Sequence, residues 1–414
     1  MRIILFFISL FIFSGILAQR KCGTVDYYNS MKSTLMVNGQ PILQSNSSNA
    51  RDPYSNEMIS IPVVIHVLYN TAIQNISDAQ IISQLQVLNE DFNKINKDTI
   101  NTPSVFKQVA AACNISFCLA KLDAQGRTTT GIIRKYTSKT SFSIDDAMKY
   151  ASSGGDDSWD CKKYLNIWIC NLQSSTIGYS TPPNGQIDRD GVVIQYDCFG
   201  TTGNIKYPFN KGRTATHEIG HWLGLRHIWG DNICGSDGID DTPNQSSCNF
   251  NCPSFPKLSD CSPNANGDMF MNFMDYTDDA CMNMFSDGQK NLIRGLFSTN
   301  GPRNSFLYSF GCDSSLVESG ATLPSDTIVN DVKKEPSILI FPNPAHFDLK
   351  VFGENGYPLM GKRISVFSTS GKLLITKRAT ANNANIDLSM LKPGLYLLKV
   401  EDDVSHKIMK FIKF

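Results

Sequence analysis

Half of the chain's six histidines, His217, His221 and His227, fall within THEIGHWLGLRHIWG (216–230). On a helix, side chains four residues apart lie about 40° apart round the axis and one turn apart in height. His217 and His221 can therefore hold one metal ion from the same helix face. Glu218, next along, can reach a water on that ion and take its proton. Gly224 can leave helical dihedrals at positive φ and turn the chain, which lets His227 return as a third ligand. Three imidazoles with a fourth position open to water make a catalytic zinc site, not a structural one. HExxH alone arises by chance, and a single histidine on an apolar helix face is usually packed core. Here all five specified positions of H-E-x-x-H-x-x-G-x-x-H are met, and zinc is the ion that suits imidazoles and hydrolytic chemistry.

These side chains need a scaffold. Ile219, Trp222, Leu223 and Leu225 give the histidine helix an apolar face. Upstream, ISIPVVIHVLY (59–69) reads as a buried strand. In 77–96, Ser77 is an N-cap and Ile81, Leu85, Leu88 and Phe92 recur at helical spacing. Further strands are expected at 114–121, 164–170 and 191–196, and a last helix from Asp287 to about Phe297. Strands mixed with helices predict an α/β layered domain. Residues 231–285, crowded with Asp, Asn, Pro, Gly and cysteines, read as loops that need staples or ions. Residues 20–60 are polar and read as a pro-segment or tail. After the polar stretch 313–336, six or seven short alternating strands predict a small all-β sandwich.

Composition narrows the setting. The 38 basic and 38 acidic residues cancel, which argues against wholesale nucleic-acid binding. MRIILFFISLFIFSGILAQ has the layout of a secretory signal peptide cut near Ala18, and its apolar run is short for a membrane span. Export makes the twelve cysteines candidates for disulfides. Cys248 and Cys252 resemble half a zinc ribbon, but no second pair stands at ribbon spacing, so a stapled loop is expected.

The extended histidine motif, followed by NFMDYTDDACMNMF (272–285), resembles the metzincin zinc endopeptidases, whose signature adds a later methionine-containing turn. Together with DTPNQ and GYSTPP…DGVVI (178–194), the pattern is most similar to the pappalysin, ulilysin-like group, over about residues 59–312. The resemblance implies an α/β (α+β) catalytic domain with a mixed sheet, an active-site helix and an irregular C-terminal subdomain. It implies hydrolysis of internal peptide bonds in protein or peptide substrates. His217, His221 and His227 would bind the zinc and Glu218 would be general base. Tyr276 would hydrogen-bond the oxyanion, and Met274 would form an apolar floor under the histidines. An extended substrate would add to a rim strand. Family likeness also suggests calcium at Asp237, Asp240 and Thr242, against an ordinary acidic turn, and disulfides Cys234–Cys261 and Cys252–Cys281. No pairing for the remaining cysteines follows. Asp279 is a candidate for favouring a basic side chain beside the scissile bond.

RKCGT (20–24) resembles the metzincin pro-segment element in which a thiolate takes the open zinc position. Cys22 is thus either a latency switch or a disulfide partner, and Arg51 is an activation point. FPNPA (341–345), ISVFSTSGKLL (364–374), IDLSMLKPGLYLLKV (386–400) and KFIKF (410–414) resemble the type A sorting domain of the Bacteroidetes type IX secretion system. That implies a partner in the outer-membrane secretion machinery and a secreted or cell-surface protein of a Gram-negative Bacteroidetes-type bacterium. A generic adhesive sandwich is the alternative. The expected order is signal peptide 1–18, pro-segment 19–51, catalytic domain 52–313, linker 314–335 and sorting domain 336–414. The whole reads as a secreted, latent zinc endopeptidase. A surface-binding protein on a metzincin scaffold and a different zinc hydrolase are the competing readings; the intact Glu218 argues against the first, and Met274 with Tyr276 against the second.

Overall fold

The computed structural model describes residues 21–31, 36–37, 40–41, 57–261, 266–309, 311–312 and, beyond 336, residues 337–341, 345, 347–354, 357–368, 371–401 and 406–413. The expected signal peptide, Arg51 and the linker lie outside the described residues. The chain divides into two compact units, 1–319 and 320–414.

The first unit is built on a six-stranded sheet. Its strands are β1 (Ile59–Tyr69), β2 (Ile115–Leu119), β3 (Ile132–Tyr136), β4 (Leu165–Cys170), β5 (Gly178–Ser180) and β6 (Val192–Gln195). Their order is β2-β1-β4-β6-β5, with β3 continuing on β1 beyond the end of β2. All pairs are parallel except β5 on β6, so the sheet is mixed and its antiparallel member is an edge.

Helix α2 (Asp78–Phe92) crosses from β1 to β2. It starts where Ser77 accepts the Gln80 amide at 3.2 Å. Ile81, Leu88 and Phe92 are fully buried with Ile65, Ile167 and Ile194 on one sheet face. Such side chains contribute roughly 1.5–3 kcal/mol each on burial. The same layer holds α3 (Arg213–Trp222), the histidine helix. The opposite sheet face, carrying Leu68, Trp168, Tyr179 and Val193, buries Tyr27 of α1 (Thr24–Met31). Within the polar stretch read as a pro-segment or tail, residues 24–31 form a helix that sequence periodicity did not announce. Little more than two turns with one deeply buried tyrosine give too weak a periodicity to read, and tertiary contact makes the helix.

Residues 231–285 are largely irregular and end at α4 (Asp287–Gly295), whose N-cap Ser286 forms a capping box with Gln289. Both expected disulfides, Cys234–Cys261 and Cys252–Cys281, are present, and a third joins Cys118 of β2 to Cys312. The other six cysteines are thiols, five of them buried, so export does not convert every cysteine to a disulfide here. Cys248 is one of those thiols and has no part in a ribbon.

The second unit holds two antiparallel sheets. One is β7 (Ser337–Phe341), β8 (Asp348–Glu354) and β11 (Asn383–Asp387). The other orders β10 (Leu373–Arg378), β9 (Arg363–Ser368), β12 (Gly394–Glu401) and β13 (His406–Lys413). Leu349, Val351 and Ile386 of the first meet Ile364, Val366, Leu398 and Phe411 of the second in one core, which is a β-sandwich. Among the described residues no helix is long and apolar enough to cross a membrane.

Candidate metal centre and active site

Helix α3 begins at Gly212 (φ 76°). Its first turn is capped from far along the chain: buried Asp279 accepts the amides of Lys211 and Arg213 at 2.9 and 3.1 Å. The carboxylate satisfies orphan donors and sits at the positive end of the helix. Asp279 therefore anchors the start of α3.

At the other end, Gly224 (φ 81°) donates to the His221 carbonyl at 2.9 Å, and Leu225 donates to Gly220 at 3.0 Å. This turn returns His227 to the helix face. The three Nε2 atoms lie 3.1 Å (His217–His221), 3.0 Å (His221–His227) and 3.3 Å (His217–His227) apart. Each opposite ring nitrogen faces an acceptor. His217 Nδ1 meets Phe273 O at 2.7 Å, His221 Nδ1 meets Leu225 O at 2.8 Å and His227 Nδ1 meets Asp231 Oδ1 at 2.5 Å. A carbonyl cannot donate, so the proton belongs on Nδ1 and the lone pair on Nε2. Three lone pairs then converge with nothing among themselves to donate. Nitrogens held about 2.0–2.1 Å from one tetrahedral ion would stand about 3.3 Å apart, so the donor set fits a zinc-sized cation. Burial, then the neighbouring His227, pushes the His221 imidazole down to about 3, which keeps it neutral as a ligand must be.

Cys22 supplies a fourth atom. Among the described residues, one group of His, Cys, Asp or Glu side chains has its ligand atoms close enough to share an ion: Cys22 with the three histidines, all within 4.8 Å of one another and all buried. The segment reaches them along the sheet edge. Cys22 bridges Gly178 of β5 in parallel, Gly23 donates to the Gly178 carbonyl at 2.8 Å, and Ile177 donates to Lys21 at 3.1 Å. Thr24 Oγ1 accepts the Ser180 amide at 3.0 Å and donates to Glu218 Oε2 at 2.8 Å. Gly178 leaves room for Glu218, since a Cβ there would lie 2.8 Å from Glu218 Cγ.

Met274 is fully buried, and a Cβ on Gly220 would stand 2.5 Å from its sulfur. The x-G within HEIGH thus makes room for the methionine floor. That floor is held by Asn272, whose Oδ1 accepts the Met274 amide at 2.9 Å and whose amide pairs reciprocally with Gln289 at 2.8 and 3.0 Å. Tyr276 packs its ring 4.9 Å from His227 and 4.7 Å from Trp229. Burial, then Cys22 and Glu218, raises its pKa, so it stays a phenol and a donor. Gly220, Asn272, Asp231 and Thr24 were missed from sequence; only Asp231, four residues after His227, had a spacing that could have flagged it.

Of the calcium candidates, Asp237 and Thr242 meet: Thr242 Oγ1 donates to Asp237 Oδ1 at 2.9 Å, and burial lifts that carboxyl to about 6. Asp240 is exposed. The neighbouring Asp241 instead caps α4, accepting Ser286 Oγ at 2.6 Å and the Gly288 amide at 2.8 Å.

Residues 150–297 match the family described as Pregnancy-associated plasma protein-A, and residues 339–413 match the secretion system C-terminal sorting domain. An extracellular metalloprotease of Arthroderma benhamiae is 31% identical over 288 residues, covering 67% of this chain and 89% of the relative. One of Verticillium alfalfae is 30% identical over 293 residues, covering 67% and 89%. Among solved structures, mature mirolysin of Tannerella forsythia in complex with a cleaved peptide is 52% identical, with a TM-score of 0.60 over 61% of this chain and 96% of that one. A promirolysin mutant from the same organism is 47% identical, with a TM-score of 0.65 over 70% and 97%. The chain belongs to the pappalysin family of metzincin metallopeptidases. More particularly, it is a secreted metalloendopeptidase made as a zymogen, with a catalytic metal and a type IX sorting tail of the Bacteroidetes kind.

Proposed function

We propose that the metal is zinc, held by His217, His221 and His227, and that Glu218 and Tyr276 carry out peptide-bond hydrolysis around it. The observation behind this reading is the convergence of three Nε2 lone pairs within 3.3 Å of one another, each opposite nitrogen tied to an acceptor. When bound, the ion would bring the pKa of a water towards neutrality and polarise the scissile carbonyl. Glu218, beside the ligands on α3, takes the attacking water's proton and delivers it to the leaving amine. Tyr276 keeps its proton and offers its hydroxyl to the developing oxyanion. Strand β5 presents an edge on which an extended peptide can be aligned. The mature neighbour was captured with a cleaved peptide, which supports extended peptides as the substrates of this chain.

Latency follows from the same geometry. Cys22 would offer its sulfur at the position the histidines leave open, and Thr24 engages Glu218, so a segment within 19–51 would close ligand site and base together. The promirolysin neighbour covers 70% of this chain and the mature one 61%, a difference of a size suited to removal of such a segment near Arg51. Calcium at Asp237 and Thr242, with Asp240 nearby in sequence, and delivery by the outer-membrane machinery through 336–414, complete the reading. The experiment that tests it purifies the mature form, measures bound zinc and profiles a peptide library against Glu218→Ala. One zinc per chain and a loss of about 10²–10⁴ in rate are expected; equal cleavage by the variant would sink the mechanism.

A further inference from the structure

The latent segment makes one contact that neither the metal nor the base requires. Tyr27, 2% exposed, is seated on the sheet face opposite α3 in a buried cluster with Phe142, Met148, Trp168, Leu172 and Tyr179. Its ring lies 5.0 Å from that of Tyr179, with the Lys149 ammonium 5.3 Å from its centroid. At the end of the pocket its hydroxyl donates to Asp146 Oδ2 at 2.6 Å.

The pocket floor does not depend on Tyr27. Asp146 stands at φ 63°, a conformation a non-glycine residue keeps only when its surroundings enforce it. Its Oδ1 takes Lys149 Nζ at 2.9 Å and the Tyr179 hydroxyl at 3.0 Å, and Oδ2 takes Arg189 Nη1 at 3.3 Å. Lys149 is itself fixed by Thr181 Oγ1 and the Arg189 carbonyl, both at 2.9 Å. Three of the carboxylate's four partners thus lie outside the latent segment. When that segment leaves, the carboxylate stays placed and Oδ2 loses one donor.

The chemistry of the replacement is restricted. Two cations already serve one carboxylate, so a lysine or arginine side chain would add a third positive charge to a buried site. An acidic side chain would set its own oxygen against Oδ2. Phenylalanine would fill the walls and leave the buried acceptor short of a donor. A phenol fills the walls and donates without bringing charge. The pocket is also within reach of the cleft, because residues 21–24 run along edge strand β5 before Tyr27 turns in.

We propose that the seat of Tyr27 is a preformed, tyrosine-selective pocket of the mature enzyme, a secondary recognition site for peptide substrates that carry a tyrosine away from the scissile bond. The proposal rests on the reading of residues 21–31 as a removable latency segment. It is tested by titrating mature protein carrying Glu218→Ala, produced by cleaving the precursor in trans and dialysing, with a synthetic peptide of residues 21–31 and with its Tyr27→Phe analogue. The tyrosine peptide should bind about tenfold more tightly, as expected for one hydrogen bond to a charged acceptor. The ratio should fall to about one on an Asp146→Ala background. Equal binding of the two peptides, or no binding of either, overturns the proposal; this comparison stands even if Asp146→Ala does not fold. In the active enzyme, a positional library should prefer tyrosine to phenylalanine at one site distant from the cut, and a flat profile also counts against it. Absence of any cleavage would instead remove the protease reading and leave the binding ratio to decide the pocket.

Discussion

The floor and the roof of the cleft are held by different kinds of contact. The floor is α3, its returning turn and the methionine turn beneath it. There the imidazoles are oriented largely by backbone carbonyls, those of Phe273 and Leu225, and the methionine is positioned by a glycine's missing side chain. The roof is β5 together with segment 21–31, held by backbone bonds of Lys21 and Gly23 along the strand edge and by three side chains: a thiol beside the histidines, and threonine and tyrosine hydroxyls that donate to residues far away in sequence. A floor fixed by the main chain is permanent. A roof tied down at one strand edge and by three side chains could leave while the floor stays as it was. That is the division a zymogen needs.

The largest expected effect on this contrast is at the floor's edge. Tyr276→Phe removes a donor but keeps the ring that packs on His227 and Trp229. The mature variant should bind metal normally and lose about 10²–10³ in kcat, read from steady-state cleavage alongside metal content. Unchanged kcat would make Tyr276 a packing residue and confine the chemistry to α3. Next comes Gly220→Ala. A Cβ 2.5 Å from the Met274 sulfur forces the floor to move, at a cost of about 1–3 kcal/mol for an overpacked core. Thermal unfolding of the metal-loaded protein should fall, and metal affinity with it. An unaltered affinity would show that the methionine does not position the histidines.

Those two tests also mark how far the sequence was legible. The convergence of His217, His221 and His227, with Glu218 beside them and the turn at Gly224, was readable because these residues lie within eleven positions at spacings that helix geometry interprets directly. The strands β1, β2, β4 and β6 and helix α2 were readable from β-branched runs, from an N-cap and from apolar periodicity. What escaped reading depends on distance in sequence. The part Asp279 plays in anchoring α3 was out of reach because its partners are the amides of Lys211 and Arg213, over sixty residues earlier. Asn272 gains meaning only from Gln289 across the methionine turn. Cys118–Cys312 spans 194 residues, and no spacing rule reaches that far. The short strands β3 and β5 and helix α1 are set by what they pack on, since each is too brief for periodicity to exceed noise.

The roof yields smaller effects, and they separate its anchors. Cys22→Ala takes the thiol from the fourth position and leaves Thr24 and Tyr27 in place. The precursor should convert to the mature form faster than wild type, by more than any other single change in the segment. A precursor of unchanged latency would move the burden of silence to the remaining anchors.

Thr24→Val tests that remainder. The isosteric change deletes the hydroxyl that links the Ser180 amide of β5 to Glu218 Oε2, yet keeps the thiol beside the histidines. Loss of a hydrogen bond to a carboxylate corresponds to about a tenfold shift in the closed-to-open balance. Conversion should accelerate by about that factor, while metal content stays at the wild-type level. Thr24→Ser, which restores the donor, should return conversion to the wild-type rate. If valine and serine behave alike, the hydroxyl is incidental and latency is a matter of the ligand position alone. If they differ, the segment silences the enzyme twice, once at the metal position and once at the base, and the roof is a two-point lock on a floor that needs no rearrangement to act.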